Sequence, residues 1–146
     1  MRLTRAGEYA VRCVLYLSAQ KEEEMATRKE IALAMDIPEQ FLSKIAQQLS
    51  RAGILQIVQG SKGGFRLVVS PEKLSLLDVV EAVTGEILLN DCLLRPDSCA
   101  RSCVCSVNRV WEKARDQLRN TLRGATFAGL LKEEHCFTPL RSPDNR

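Results

Sequence analysis

Four of the six cysteines fall in one short segment, at Cys92, Cys99, Cys103 and Cys105. Thiolates are soft donors that select zinc, copper(I) or iron–sulfur clusters. Gaps of six, three and one residues do not match the paired Cys-x-x-Cys knuckles of structural zinc. Wide, uneven gaps on a loop suit a larger object, and spacing ranks an iron–sulfur cluster first. The competing chemistry is a thiol–disulfide switch without metal, or cysteines that bind nothing. In an extended chain residues 103 and 105 point the same way, so both could reach one cluster. Cys13 lies in an apolar stretch and reads as core, while Cys136 stands alone. His135 is the only histidine and a donor by type. Its place beside the C-terminal tail reads as solvated surface.

A second constellation is polar and cationic. Thr27-Arg28-Lys29-Glu30 is a capping box that starts a short helix through Ile31, Ala32, Ala34 and Met35. Asp36-Ile37-Pro38 turns the chain, with Pro38 suited to a first helical position. The next helix runs to Ala52, and Gly53 closes it. Its Phe41, Leu42, Ile45, Ala46 and Leu49 recur at helical spacing, which turns Gln40, Ser43, Lys44 and Gln47 outward. Two short helices joined by a tight turn have the form of a helix-turn-helix, the second being the recognition helix. Gln pairs with adenine and Lys with guanine in the major groove, so Gln40, Ser43, Lys44 and Gln47 are the candidate readers. Arg28 and Lys29, at a helix start, are placed for phosphates.

Ile54 to Gln59 and Phe65 to Val69 read as two strands around Gly60-Ser61-Lys62-Gly63-Gly64. Helices followed by a hairpin make a winged helix-turn-helix. Gln59, Ser61 and Lys62 are the candidate wing contacts. The Gly63-Gly64 pair either lets backbone approach a phosphate closely or serves only as a tight turn.

The supporting elements follow the same logic. Thr4 caps a first helix to about Gln20, with Ala10, Val11, Val14, Leu15 and Leu17 as its apolar stripe. Ser75-Leu76-Leu77-Asp78 is another capping box, opening a helix to about Thr84. Glu86 to Cys105 reads as irregular. Val107 to Arg123 reads as a long helix with one stripe of Val107, Val110, Trp111, Ala114, Leu118 and Leu122. Such a stripe, following a core already closed, wants the same helix of a second subunit, ahead of the alternative that it packs onto its own domain. Thr126 caps a short last helix to about Glu134.

The expected class is mainly α. Residues 1–85 form a winged helix-turn-helix DNA-binding domain, with the helix-turn-helix at about 28–51 and the wing at about 54–69. Residues 86–105 form a cysteine loop. Residues 106–134 hold the dimerisation helix and the last helix, and 135–146 a polar tail expected to be loose.

Composition sharpens this. The chain has 146 residues, 45% hydrophobic and 27% charged, as ordinary globular domains do. Aromatics at 5% argue against a stacking platform for single-stranded nucleic acid. No run approaches the ~18 apolar residues of a membrane span. Met1-Arg2 leads directly into a helix start without a secretory signal, so a cytoplasmic protein is expected. The net charge of +3 lies wholly in residues 1–71, with 10 Lys/Arg against 7 Asp/Glu. From Gln40 to Arg66 there is no acidic residue, a modest pointer to a polyanionic partner, though charge alone favours an ordinary solvated face.

Met-Arg-Leu-Thr at the start, Tyr9-Ala10, Gly63-Gly64-Phe65-Arg66-Leu67, and Cys92-x6-Cys99-x5-Cys105 followed by Trp111 together resemble the Rrf-type family. These are the IscR-, NsrR- and RsrR-like winged-helix transcriptional regulators. The resemblance covers residues 1 to about 134. It implies a homodimer on pseudo-palindromic double-stranded DNA, with an iron–sulfur cluster whose state controls binding. A 2Fe–2S cluster is expected ahead of 4Fe–4S. The resemblance implies that Cys92, Cys99 and Cys105 are the cluster thiolates. IscR-like members add a histidine three residues after the last cysteine, where this chain has Asn108. NsrR- and RsrR-like members use a carboxylate in the first helix of the other subunit, and Glu8 stands there. Cys103 departs from the three-cysteine pattern and is an alternative ligand. A carboxylate is a hard donor for iron beside sulfide, which suits a labile, responsive site.

The leading expectation is a cluster-dependent regulator sensing redox state, nitric oxide, or iron or cluster supply. The alternatives are the same fold acting through bare thiols, and an iron–sulfur carrier or electron-transfer protein. The last has no use for a cationic recognition helix. An enzyme is not expected, since no phosphate loop, nucleophile–His pair or paired carboxylates are in evidence.

Overall fold

Side-chain caps set the helix starts. In the computed structural model, which describes residues 3–133, Thr4 Oγ1 accepts from Gly7 N at 3.1 Å and opens α1 (Arg5–Ser18). Thr27 and Glu30 form the expected reciprocal box at the start of α2 (Arg28–Met35). The Thr27 backbone N–H, and then its side chain, hold the Glu30 carboxyl below its usual range. Ser75 and Asp78 form the second box, at α4 (Leu76–Thr84). Helix α3 (Glu39–Arg51) has no side-chain cap. Pro38 precedes it as the capping residue instead of filling its first position.

Helix α1 is central and packs against α2, α3, α4 and the last helix, α7 (Phe127–Lys132). Ala10, Cys13, Val14, Leu42, Ala46, Leu49 and Val79 are fully buried between them. Phe41 does not join this core, contrary to its helical spacing. It is 54% exposed, with its ring 6.0 Å from that of Tyr9. Leu42 and Ile45 already fill the buried arc of α3, which leaves Phe41 at its margin.

The wing pairs β1 (Leu55–Val58) antiparallel with β2 (Gly64–Leu67), in register Gln56 with Arg66 and Val58 with Gly64. Phe65 also exchanges two backbone hydrogen bonds with Ala26, which ties the wing to the segment entering α2. That contact explains the glycines. A Cβ on Gly64 would meet the Ala26 carbonyl oxygen at 2.5 Å, and one on Gly63 would overlap the Val58 carbonyl. The space freed by both glycines is therefore taken by the protein's own backbone.

The segment after α4 is more ordered than an irregular loop. It contains the short helix α5 (Asp91–Leu94) and 3₁₀ turns at Pro96–Ser98 and Ser102–Val104. Long helix α6 (Ser106–Gly124) comes next and buries none of its residues fully. The polypeptide then returns to the body. Thr126 caps α7, Leu76 N donates to Ala125 O, and Phe127 is fully buried. His135, Cys136 and the tail expected at 135–146 lie outside the described residues.

Candidate nucleic-acid interface and cysteine loop

The turn between α2 and α3 is held from behind. Arg12 of α1 donates from Nη1 to the Met35 and Asp36 carbonyls, both at 3.3 Å. Asp36 takes a left-handed conformation there, at φ 52°. Recognition-helix geometry is thus fixed by α1 as well as by the turn.

In front, α2, α3 and the wing enclose a groove of about 460 Å³. Thr27, Arg28, Lys29, Ser43, Gln47, Gln59 and Ser61 all contribute to it, over a floor of Ile57 and Phe65. Six candidate contacts from three separate elements therefore share one concave face. Gln40, Lys44 and Lys62 are exposed but do not line the groove. On α3, residues 40, 43, 44 and 47 occupy one arc, because each step of three or four residues returns near the same side.

Some of these cations are already engaged. Arg28 Nη1 donates to Ser43 Oγ at 3.0 Å, and Arg28 Nε lies 3.2 Å from Glu39 Oε2. Arg66 donates from Nε to Gln56 Oε1 at 2.9 Å across the wing. Glu39 lies one residue before the acid-free stretch and was not among the sequence candidates. Its signal was its place in the first turn of the recognition helix.

The cysteine segment spans the gap between α4 and α6. Cys92 and Cys105 are half-buried, and Cys99 and Cys103 are exposed. Asn108 Nδ2, one turn into α6, donates to Cys92 Sγ at 3.2 Å. Cys105 precedes the first residue of α6. Cys103 sits inside the second 3₁₀ turn, with its Sγ 3.9 Å from Ser102 Oγ. The extended-chain argument for Cys103 and Cys105 facing one way does not apply to that turn. Among the described residues, no three His, Cys, Asp or Glu side chains converge on one point. The donor set nevertheless fits an iron–sulfur cluster by its chemistry, with at least three soft thiols on one continuous segment. Cys13 is different. It is fully buried in the core, and burial pushes its thiol up to about 12.

The start of the segment is anchored, and the helices flanking it are tied together. Glu81 of α4 accepts from Arg119 of α6 through both oxygens, at 2.8 and 3.0 Å, and from Ile87 N at 3.0 Å. Burial raises the Glu81 carboxyl, but these bonds outweigh it and leave it below its usual range. Glu8 lies in a groove whose lining includes none of the cysteines. That groove is largely apolar, with Leu3, Val11, Leu76, Val80, Leu118 and Leu122. The outer stripe of α6 is open, with Val110 62% exposed and Val107 and Trp111 also exposed. No helix among the described residues is long and apolar enough to cross a membrane.

Residues 3–133 match the Rrf2 family model, described as an iron-dependent transcriptional regulator. The chain belongs to the Rrf2 family. Its curated relatives include the HTH-type transcriptional regulator NsrR of Geobacillus kaustophilus. That protein is 33% identical over 96% of this chain and 96% of its own length. T. potens IscR superposes with a TM-score of 0.74 at 22% identity, over 92% of this chain and 89% of its own. CymR, the global cysteine regulator of B. subtilis, superposes with a TM-score of 0.70 at 21% identity, over 92% and 99%. The Rrf2 member described here thus has the winged-helix fold, as the sequence implied, and its relatives are transcriptional regulators.

Proposed function

We propose that this Rrf2 protein is a homodimeric regulator whose operator binding is set by an iron–sulfur cluster. Cys92, Cys99 and Cys105 would hold it, with Glu8 of the partner subunit as fourth ligand and Cys103 as the alternative. When bound, the cluster would supply a joint whose charge and integrity follow redox state, nitric oxide or iron supply. The observation that carries this reading is the placement of the cysteine segment. It joins α4, which packs on the reading head, to α6, whose open apolar stripe is suited to a second copy. Glu81 ties the start of the segment to α4, and Asn108 of α6 reaches back to Cys92. DNA affinity then shifts by the difference in free energy between the arrangements allowed with and without the joint.

The experiment is iron and acid-labile sulfide per chain on protein purified without oxygen, with visible and Mössbauer spectra. Two of each supports 2Fe–2S, and four of each supports 4Fe–4S. Glu8→Ala and Cys103→Ser then identify the fourth ligand from the spectra. Val110→Glu, placed in the open stripe, is expected to halve the mass in sedimentation. An unchanged mass removes α6 as the dimer helix.

A second reading uses the thiols without metal. It is favoured by the exposure of both Cys99 and Cys103, since accessible thiols exchange readily. Protein that stays colourless after reconstitution, with DNA affinity that tracks disulfide formation, selects this reading.

A further inference from the structure

Arg28 is an oriented cation. Its guanidinium is drawn sideways from the start of α2 onto the first turns of α3, between the Glu39 carboxylate and Ser43 Oγ. Ser43 Oγ in turn donates to the Glu39 carbonyl at 3.2 Å, which fixes the hydroxyl that receives Arg28. Arg28 and Ser43 line the groove where a duplex would lie, and Arg28 and Glu39 are 50% and 43% exposed.

We propose that Arg28 reads a guanine edge in the major groove and that Glu39 is its positioning residue. The proposal rests on the DNA-binding reading above and departs from the phosphate role expected for Arg28 from sequence. Charge and direction separate the two roles. A phosphate contact gains chiefly from net positive charge, through counterion release. Arg28 beside Glu39 brings a pair whose formal charges cancel, so that gain is small. A guanine edge is neutral and rewards fixed donors aimed at O6 and N7. Pairing with a carboxylate costs charge but supplies direction.

The donor inventory agrees. A guanidinium carries five N–H groups in a rigid fork. Ser43 takes one from Nη1, and Glu39 lies on the Nε side. Among the described residues Nη2 has no hydrogen-bond partner, so the terminal nitrogens retain the donors a bidentate contact needs. Position agrees as well. The first turns of a recognition helix are the part that meets base edges. Glu39 and Ser43 belong to those turns.

The test selects duplexes from a random-sequence pool with the full chain, purified without oxygen. Wild type, Arg28→Lys, Arg28→Ala and Glu39→Gln are run in parallel. Affinities for the selected site and for a random duplex are then measured. The wild-type motif is expected to contain a guanine that Arg28→Ala no longer requires and that Arg28→Lys, with no planar fork, requires less strictly. Discrimination there falls roughly ten- to hundredfold while the rest of the motif persists. Glu39→Gln is expected to lose part of the same preference yet bind random duplex more tightly, because it removes a negative charge. A merely structural role does not give those opposite signs. If Arg28→Ala lowers the melting temperature, Arg28→Lys and Glu39→Gln carry the test. Uniform loss on all sequences, restored by Arg28→Lys, marks a phosphate contact and overturns the proposal. So does a motif with no position sensitive to Arg28. A wild-type chain with no sequence preference overturns the DNA-binding reading itself, and the proposal falls with it.

Discussion

Phe127 is the deep anchor of the C-terminal elements, and replacing it tests how α6 is held. Helix α6 buries no residue fully and is held by half-buried packing on α4 and α5, by the Glu81–Arg119 contact and by the docking of α7 that follows it. Phe127 is 0% exposed, sits in the core beneath α1, and donates its backbone N–H to Leu74 O at 3.0 Å. Truncating a fully buried Phe to Ala removes its transfer energy and leaves a cavity, a loss of about 3–5 kcal/mol. Total stability of a domain is about 5–15 kcal/mol, so Phe127→Ala should remain folded but weakened. At roughly 4 °C per kcal/mol, its Tm falls by about 12–20 °C. The assay is urea unfolding of metal-free, reduced protein, with the m-value compared to detect a changed unfolded state. Phe127→Leu keeps an apolar side chain, leaves a smaller cavity and should lose less. A loss below about 1 kcal/mol for Phe127→Ala, at unchanged m-value, would show that α7 does not anchor the domain.

Lys44→Ala is expected to relax sequence preference, whereas Lys62→Ala weakens all duplexes alike and lowers the salt slope by about 1. Equal loss from Lys44→Ala on specific and random duplex contradicts its role as a reader. Cys13, with its thiol pushed up to about 12, should resist maleimide at pH 8 in metal-free reduced protein while Cys99 and Cys103 react. Mass mapping that finds Cys13 modified first refutes its burial. The Glu81 carboxyl lies below its usual range when folded, so its bonds stabilise above the unfolded value and are lost as pH falls through the folded one. Glu81→Gln should therefore be less stable than wild type near neutral pH, with the gap closing in acid. A gap that is constant with pH rules out ionisation as its source.

Local chemistry was the legible part of the sequence. Thr4, Thr27 and Ser75 cap their helices because each oxygen needs a donor only three residues away, whatever the rest of the chain does. The hairpin was legible for the same reason, through two apolar runs on either side of a glycine-rich turn. The cysteine segment was legible as chemistry because thiol type and spacing are sequence properties. The tertiary structure decided the rest. Phe41 shares the spacing of Leu42 and Ile45, but the width of the buried arc is set by neighbouring helices, so it faces solvent. Gly63 and Gly64 could have served a ligand, yet contacts with Val58 and Ala26 use their missing side chains. Arg28 read as a phosphate contact at a helix start, and its ion pair with Glu39 was not legible because it joins residues eleven positions apart on different helices. Periodicity and caps are short-range physics written in adjacent residues. Which cation meets which carboxylate depends on how helices cross, and only the folded chain determines that.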